Sequence, residues 1–271
     1  SVTLNYSDGS VGSLPVEWDI SSVDTSKAGT YTITGQVQQT DYNPKVEGKN
    51  YTVPFAEDRA DPDLFKFDWT HKVNGETVTE EKYLFIATND TDGECRMPGD
   101  PPYAYLGIRM GDTIEEMADV AGDSAKTIDQ TGINEQEHVL CEAGDMIQWG
   151  DSGEKQEMTG SFWAPELHRI GGRLSILFAP GIAEGGGEQR SSIMQLKKDA
   201  DGYDLDPTKR ENWEEPRIIT FADGKTWTGS YCDMTYFEDK NGQSYYLSAG
   251  FALAKFDPET PWKLSAASTA D

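Results

Sequence analysis

Basic residues are scarce in this chain of 271 amino acids, which carries 23 Lys and Arg against 48 Asp and Glu and a formal net charge of -25. A surface that binds nucleic acid needs clustered positive charge to contact the phosphates, so this balance excludes most such functions. It also argues against binding to anionic membranes or to polyanionic substrates. The expected partners are therefore neutral molecules.

Long apolar runs and metal-binding cysteine patterns are missing as well. No run of about 18 apolar residues exists that could span a membrane. No apolar leader opens the chain at Ser1, so we expect a mature or excised sequence. The cysteines, Cys95, Cys141 and Cys232, have neither Cys-x-x-Cys nor Cys/His ligand spacing, so zinc is not expected. Their odd number leaves at least one thiol free, and we expect buried free thiols rather than a redox site.

Aromatic residues are abundant by contrast, at 11% of the chain, and they indicate a folded globular protein rather than a disordered one. Short apolar runs bounded by Gly, Asp and Asn recur from Tyr51 onward. The one helix-like stretch, 113–120, is short. Many short strands without long helices predict an all-β architecture.

The first 48 residues differ from the rest of the chain in their pattern of apolar and polar residues. Apolar and polar residues alternate with period two over 2–6, 16–20 and 29–37, which predicts half-buried strands of an antiparallel sandwich. The side chains expected on the buried side are Trp18, Tyr31, Ile33 and Val37.

Through residues 6–9, 16–18 and 28–35, this segment resembles the bacterial Ig-like modules of secreted surface enzymes. Such a sandwich has about seven strands, so the resemblance implies a partial module whose N-terminal part precedes Ser1.

A loose repeat runs through the remainder of the chain, 49–271. In each unit an acidic residue opens one strand, a turn follows, and an apolar strand ends in small residues; the strand pairs are 63–67 with 83–87, 165–169 with 174–179, and 233–237 with 245–249. Three such units predict successive blades of a β-propeller, whose innermost strands line a central channel. Polar residues at equivalent positions would then converge on one pocket.

Candidate chemistry falls at the start of these units, in 59–63, 162–168 and 231–237. Pro62 is expected to hold Asp61 in an extended conformation and removes one backbone donor. A plain Asp-Pro turn is the alternative interpretation of that motif alone. Two carboxylates and an aromatic side chain at equivalent blade positions are what glycoside hydrolysis requires.

These segments are similar to glycoside hydrolase family 43, and most of all to its exo-acting α-L-arabinofuranosidases. The matching blocks occur in the family's order at 59–62, 85–88, 108–109, 163–172, 233–237 and 260–264. The resemblance implies an all-β chain: a five-bladed β-propeller over 49–271, preceded by the Ig-like sandwich fragment over 1–48. It also implies that the last blade or blades lie beyond residue 271. No cofactor is expected, apart from a structural calcium ion in the complete propeller.

The resemblance also implies roles for individual residues. Asp61 matches the general base that activates water, and Asp233 matches the carboxylate that tunes and orients the general acid. Trp163 and Glu166 match residues of the sugar pocket, as substrate-binding and supporting groups. The acid itself is a Glu in a Glu-Gly-Pro motif that does not occur here, so we expect it beyond residue 271.

The implied function is the inverting removal of terminal α-L-arabinofuranosyl residues from arabinan or arabinoxylan. The implied setting is an extracellular or surface-anchored bacterial enzyme with further domains in the same polypeptide. A β-xylosidase or endo-arabinanase on the same fold, a non-catalytic carbohydrate-binding propeller and a structural adhesin are the alternatives. Asp63 is expected to be a solvated or supporting carboxylate, and His71 and His168 are expected to be strand or loop residues.

Overall fold

The structure is a computed structural model that divides the chain into two compact units, Ser1–Tyr51 and Thr52–Asp271. The residues it describes are 2–5, 11–14, 16–21, 23–24, 26–37, 55–56, 59–89, 105–118, 137–183, 188–227, 232–249 and 251–267. The predicted domain boundary between residues 48 and 49 lies outside these ranges, as does Cys95, so both expectations stay predictions.

Unit 1 contains two antiparallel strand pairs. Strand β1 (Val2–Asn5) pairs with β2 (Val11–Leu14), and β3 (Val16–Asp19) pairs with β4 (Thr34–Val37). The alternating run 29–37 is therefore a strand only over its last four residues.

The predicted burial of this unit's apolar face is wrong. Trp18, Ile33 and Val37 are 46%, 39% and 42% exposed, and Tyr31 is only half-buried. Period-two alternation identifies which face of a strand is apolar. It does not supply a second layer, and a two-stranded sheet cannot cover its own face.

Unit 2 begins with a four-stranded antiparallel sheet, sheet I, in which each strand pairs with the next along the chain. Its strands are β5 (Arg59–Val73), β6 (Glu76–Asn89), β7 (Tyr105–Gly111) and β8 (His138–Glu142). Asn74 and Gly75 join β5 to β6 with φ values of 54° and 87°. Positive φ at both central residues is the geometry that gives a two-residue hairpin the twist of its strands.

Sheet II has six strands and sheet III has five. The strands of sheet II are β9 (Met146–Trp149), β10 (Lys155–Ile170), β11 (Arg173–Ile182), β12 (Glu188–Gln189), β13 (Ser192–Gln195) and β14 (Arg217–Ile218). Those of sheet III are β15 (Thr220–Phe221), β16 (Thr235–Glu238), β17 (Ser244–Leu247), β18 (Leu253–Phe256) and β19 (Lys263–Ala267). Both contain a four-stranded antiparallel meander, β10-β11-β13-β14 and β16-β17-β18-β19.

Three consecutive four-stranded meanders are the units from which β-propellers are built, and the predicted all-β fold is confirmed. The number of blades in the whole domain stays a prediction. Within the described ranges, no helix is long and apolar enough to cross a membrane.

The helix-like stretch 113–120 is a single 3₁₀ turn, Glu115–Met117, as far as the described residues extend. The Glu116 carboxylate accepts hydrogen bonds from the backbone N–H groups of Asp112 and Thr113. These bonds cap one turn, and Ala118 then returns to an extended conformation, with φ -73° and ψ 150°.

Sheet II is buried on both of its faces. Ile176 of β11 belongs to a core that includes Phe67 and Leu84 of sheet I. The next residue, Leu177, belongs to a second core, which includes Tyr246 and Phe256 of sheet III. Successive side chains of a strand point to opposite faces. Burial on both faces therefore explains the uninterrupted apolar run in β11, and it stacks the three sheets in chain order.

Gly150 follows β9 and lies at a close approach between sheets II and III, where there is no room for a side chain. Its φ is 52°, and a methyl group placed on it would overlap the side chain of Thr220 in β15. We expect Gly150→Ala to lower the free energy of unfolding by about 2–4 kcal/mol, from backbone strain together with overpacking.

Urea denaturation followed by tryptophan fluorescence measures this loss. Gly153→Ala is the matched control, because Gly153 has a φ of 79° but no atom within 4 Å of the added methyl group. That control should lose only about 1 kcal/mol. Equal losses in the two variants would show that the contact with Thr220 does not constrain this junction.

Candidate active site

Asp61 lies in a bulge at the start of β5. Ala60 pairs with Thr88 and Asp63 pairs with Ile86, so Asp61 and Pro62 stand opposite a single residue of β6. The φ of Asp61 is 49°, which contradicts the extended conformation expected before Pro62. The bulge explains the difference, because the extra residue has to turn the strand and Asp tolerates the left-handed region better than most residues.

Left-handed residues also occur in the other two candidate segments. Ala164, in the Trp-Ala-Pro segment of β10, has a φ of 43°, and Asp233, just before β16, has a φ of 51°. Such a conformation costs a non-glycine residue roughly 1–2 kcal/mol, and Asn74, Ser161 and Phe251 adopt it as well. Each candidate segment therefore contains one residue whose backbone conformation is unfavourable by itself.

A chain of two hydrogen bonds links the first two bends. The backbone N–H of Ala164 donates to Thr88 Oγ1 at 2.8 Å, and Thr88 Oγ1 donates to Asp61 Oδ2 at 2.9 Å. Thr88, at the end of β6, is only 5% exposed, whereas Asp61 is exposed. A buried hydroxyl of sheet I thus connects the predicted base to the Trp-Ala-Pro bend of sheet II.

The thiol of Cys232 connects the third bend to the first. Burial is the main cause that raises its pKa, followed by the charge of Asp233 and a hydrogen bond to that carboxylate, and then by the charge of Asp61. Both carboxylates therefore lie within electrostatic range of the same thiol. Asp233 is exposed, and Cys232 is only half-buried, unlike the fully buried Cys141.

Trp163 and Glu166 occupy β10 on either side of the Ala164 bend, and both are half-buried. Trp163 therefore directly precedes Ala164, whose backbone N–H contacts Thr88. Glu166 faces a different partner, since its Oε2 accepts a hydrogen bond from His168 Nε2 at 2.8 Å. The edge of the His168 ring contacts Tyr236 of β16 at 5.6 Å between ring centroids.

Asp63, two residues farther along β5 than Asp61, lies near the Glu166–His168 pair. Its Oδ2 accepts a hydrogen bond from the backbone N–H of Leu167 at 2.7 Å, which joins β5 to β10. Burial raises the pKa of Asp63, and the charge of Glu166 adds to that rise. The Leu167 N–H and the charge of His168 oppose it without reversing it.

The site residues predicted from sequence therefore separate into two groups. Asp61 and Asp233 are exposed and lie within electrostatic range of the half-buried Cys232, whereas Glu166 pairs with His168 near Asp63. Sequence reasoning did not identify Thr88 as a partner of Asp61, although a polar residue ending the apolar run of β6 was a usable signal.

Metal-binding geometry is absent from the described part of the chain. No group of three or more His, Cys, Asp or Glu side chains there is arranged to hold an ion. The structural calcium ion of the complete propeller stays a prediction.

The raised pKa of Asp63 makes a prediction about stability. The folded protein binds this proton more tightly than the unfolded chain does. Above the ordinary Asp value near 3.8, ionisation of Asp63 therefore lowers the free energy of unfolding as pH rises toward the folded-state value. Asp63→Asn has no such proton and keeps an oxygen for the Leu167 N–H. Its stability relative to wild type should therefore increase with pH across that window and then level off.

Urea denaturation of both proteins between pH 3.5 and about 7 measures this difference in the range of carboxylate titration. Asp63→Ala is the control, because it leaves the Leu167 N–H without its acceptor and should be less stable by about 1–3 kcal/mol throughout. A difference between Asp63→Asn and wild type that does not change with pH would contradict the raised pKa.

Comparison with known proteins gives matches for both units. Residues 1–40 match the model of the bacterial Ig-like domain (group 4), which confirms the resemblance stated for the N-terminal segment. No curated protein matches the chain at a significant level.

Solved structures similar to this chain are arabinofuranosidases, arabinanases and xylosidases of glycoside hydrolase family 43, the family that the sequence motifs resemble. The α-L-arabinofuranosidase from Lactobacillus brevis is 22% identical, with a TM-score of 0.43, over 79% of this chain and 53% of its own. The exo-1,5-α-L-arabinanase from a bovine ruminal metagenomic library is 14% identical, with a TM-score of 0.41, over 78% and 55%. A β-xylosidase/α-arabinofuranosidase from a compost microbial metagenome, in complex with xylotriose, is 14% identical, with a TM-score of 0.38, over 78% and 58%. This chain thus spans little more than half the length of the structures it matches.

Proposed function

We propose that this chain is the part of an inverting glycoside hydrolase that supplies the general base, Asp61, and the carboxylate that tunes the acid, Asp233. The complete enzyme would remove terminal α-L-arabinofuranosyl residues from arabinan or arabinoxylan. One observation supports the proposal: Asp61 and Asp233, which belong to separate sheets, each lie in a left-handed bend, and the charge of each helps to raise the pKa of the Cys232 thiol. Convergence of distant carboxylates is what this chemistry needs.

In this mechanism, Asp61 takes a proton from the water that attacks the anomeric carbon. Thr88 occupies Oδ2 of Asp61, so Oδ1 is the oxygen offered to the water. The exposure of Asp61 is compatible with that access. The acid that protonates the leaving oxygen would come from beyond residue 271 and stand roughly 6.5–9.5 Å from Asp61, leaving room for the water.

The remaining residues fit supporting roles. The indole of Trp163 offers an apolar surface for a sugar ring beside the bend that leads to Thr88 and Asp61. Glu166 accepts a hydrogen bond from His168, whose ring contacts Tyr236, and so helps to hold β10 against β16. The net charge of -25 suits a neutral sugar substrate rather than a polyanion. An extracellular bacterial location, with the Ig-like module as a spacer between domains, belongs to the same proposal.

The first test replaces the base in the full-length protein that contains this chain. Asp61→Ala should reduce kcat/KM at least about 100-fold, because general-base catalysis contributes factors of that order. The thermal unfolding midpoint should change little, because Asp61 is exposed and lies outside the apolar cores. The measurement is release of arabinose from arabinan, with proton NMR of the first-formed anomer reporting inversion.

Asp68→Ala is the matched control, because Asp68 is an exposed Asp on the same strand. It should retain wild-type activity. An Asp61→Ala protein with more than about one hundredth of wild-type activity would contradict the assignment of the base.

The same assay separates the alternatives. Release of xylose from xylan without arabinose would identify a β-xylosidase. Release of oligosaccharides from linear arabinan would identify an endo-arabinanase. Binding of arabinan without any release, in wild type as in Asp61→Ala, would identify a carbohydrate-binding propeller. Neither binding nor release would favour the structural adhesin.

A further inference from the structure

We propose that Thr88 is a positioning residue for the general base, fixing the orientation of the Asp61 carboxylate and linking it to the Trp-Ala-Pro bend of the neighbouring sheet. This inference rests on the proposed function of Asp61. The role that we assign to Thr88 depends on its hydroxyl group, which makes both contacts.

The two hydrogen bonds of Thr88 have a fixed direction. A threonine hydroxyl has one hydrogen to donate and lone pairs to accept. The Ala164 N–H, at 2.8 Å, can only donate, so it occupies a lone pair of Thr88 Oγ1. The hydroxyl hydrogen is then directed at Asp61 Oδ2, at 2.9 Å, which accepts it as a carboxylate. A hydrogen bond to a charged acceptor is directional and holds the carboxylate in one orientation.

The surroundings of Thr88 make this contact rigid. Thr88 is 5% exposed and lies on β6 opposite Ala60, the residue before Asp61. Branching at Cβ restricts the rotamers of a threonine in a strand. The donor, Ala164, lies where the pairing of β10 with β11 shifts register between Trp163 and Glu166. Its N–H is therefore held by a bend that belongs to sheet II.

This arrangement couples two motifs that are distant in the sequence. A displacement of the Trp-Ala-Pro bend would therefore reach the Asp61 carboxylate through the buried hydroxyl oxygen of Thr88. The chain Ala164–Thr88–Asp61 thus explains why a backbone bend that carries only a methyl side chain is part of the site.

The decisive variant is Thr88→Val in the full-length protein, which keeps the shape of the side chain and removes the hydroxyl. We expect kcat to fall about tenfold with KM nearly unchanged, because the loss concerns the base and not the sugar contacts. Thr88→Ser keeps the hydroxyl and should restore kcat to near its wild-type value.

Thr220→Val is the matched control, because Thr220 is equally buried but lies at the junction with Gly150 and not beside Asp61. It should leave kcat unchanged, even if stability falls. If Thr88→Val does not fold, Thr88→Cys gives the test, since it keeps a weaker donor and should lower kcat by a smaller factor with KM nearly unchanged.

Two outcomes would overturn the inference, and they are distinguishable. If Asp61→Ala is inactive but Thr88→Val has the wild-type kcat, Thr88 is only a structural link and the proposed function stands. If Asp61→Ala remains active, the proposed function fails and the role of Thr88 fails with it. A loss of stability in Thr88→Val without any change in kcat, or a low kcat that Thr88→Ser does not restore, counts against the inference.

Discussion

Burial of sheet II on both faces is the constraint on which the rest of unit 2 depends. Adjacent residues of β11, Ile176 and Leu177, enter two different cores, one shared with sheet I and the other with sheet III. Each buried side chain of this kind contributes roughly 1.5–3 kcal/mol, and a strand that is apolar on both faces has no exposed orientation to adopt. The sheets must therefore stack in chain order, which brings the inner strands β5, β10 and β16 next to one another.

Stacking also stabilises three strained bends. Asp61, Ala164 and Asp233 all have φ values between 43° and 51°, at a cost that a single strand pair would not sustain. The bends turn two carboxylates and one backbone N–H toward shared partners, Thr88 and Cys232. Backbone strain of this kind is common at functional sites, where the surrounding structure holds it.

Local patterns predicted the strands of unit 2 well, because an apolar run such as 82–88 is long enough to specify β6 without help from distant residues. They failed where contacts with another sheet, or with residues distant in the sequence, decided the local structure. Trp18 has the right alternation, but no sheet among the described residues covers it. Asp61 precedes a proline yet turns left-handed, because the register of β5 against β6 requires an extra residue. The apolar and acidic residues of 113–120 suggested a helix, but Glu116 caps a single turn.

The sequence by itself determined the class of fold and, through the family resemblances, the Ig-like character of the first segment and the two candidate carboxylates. The class of fold depends on residue types and on spacing within one strand or turn, both of which are visible in the chain. Only the tertiary structure decided which groups surround each carboxylate: Thr88 and Ala164 for Asp61, Cys232 for Asp233, and His168 for Glu166. Hydrogen-bond partners are set by the packing of whole sheets and by bulges that shift register, and a local pattern such as the polar end of β6 does not say which distant group it will contact.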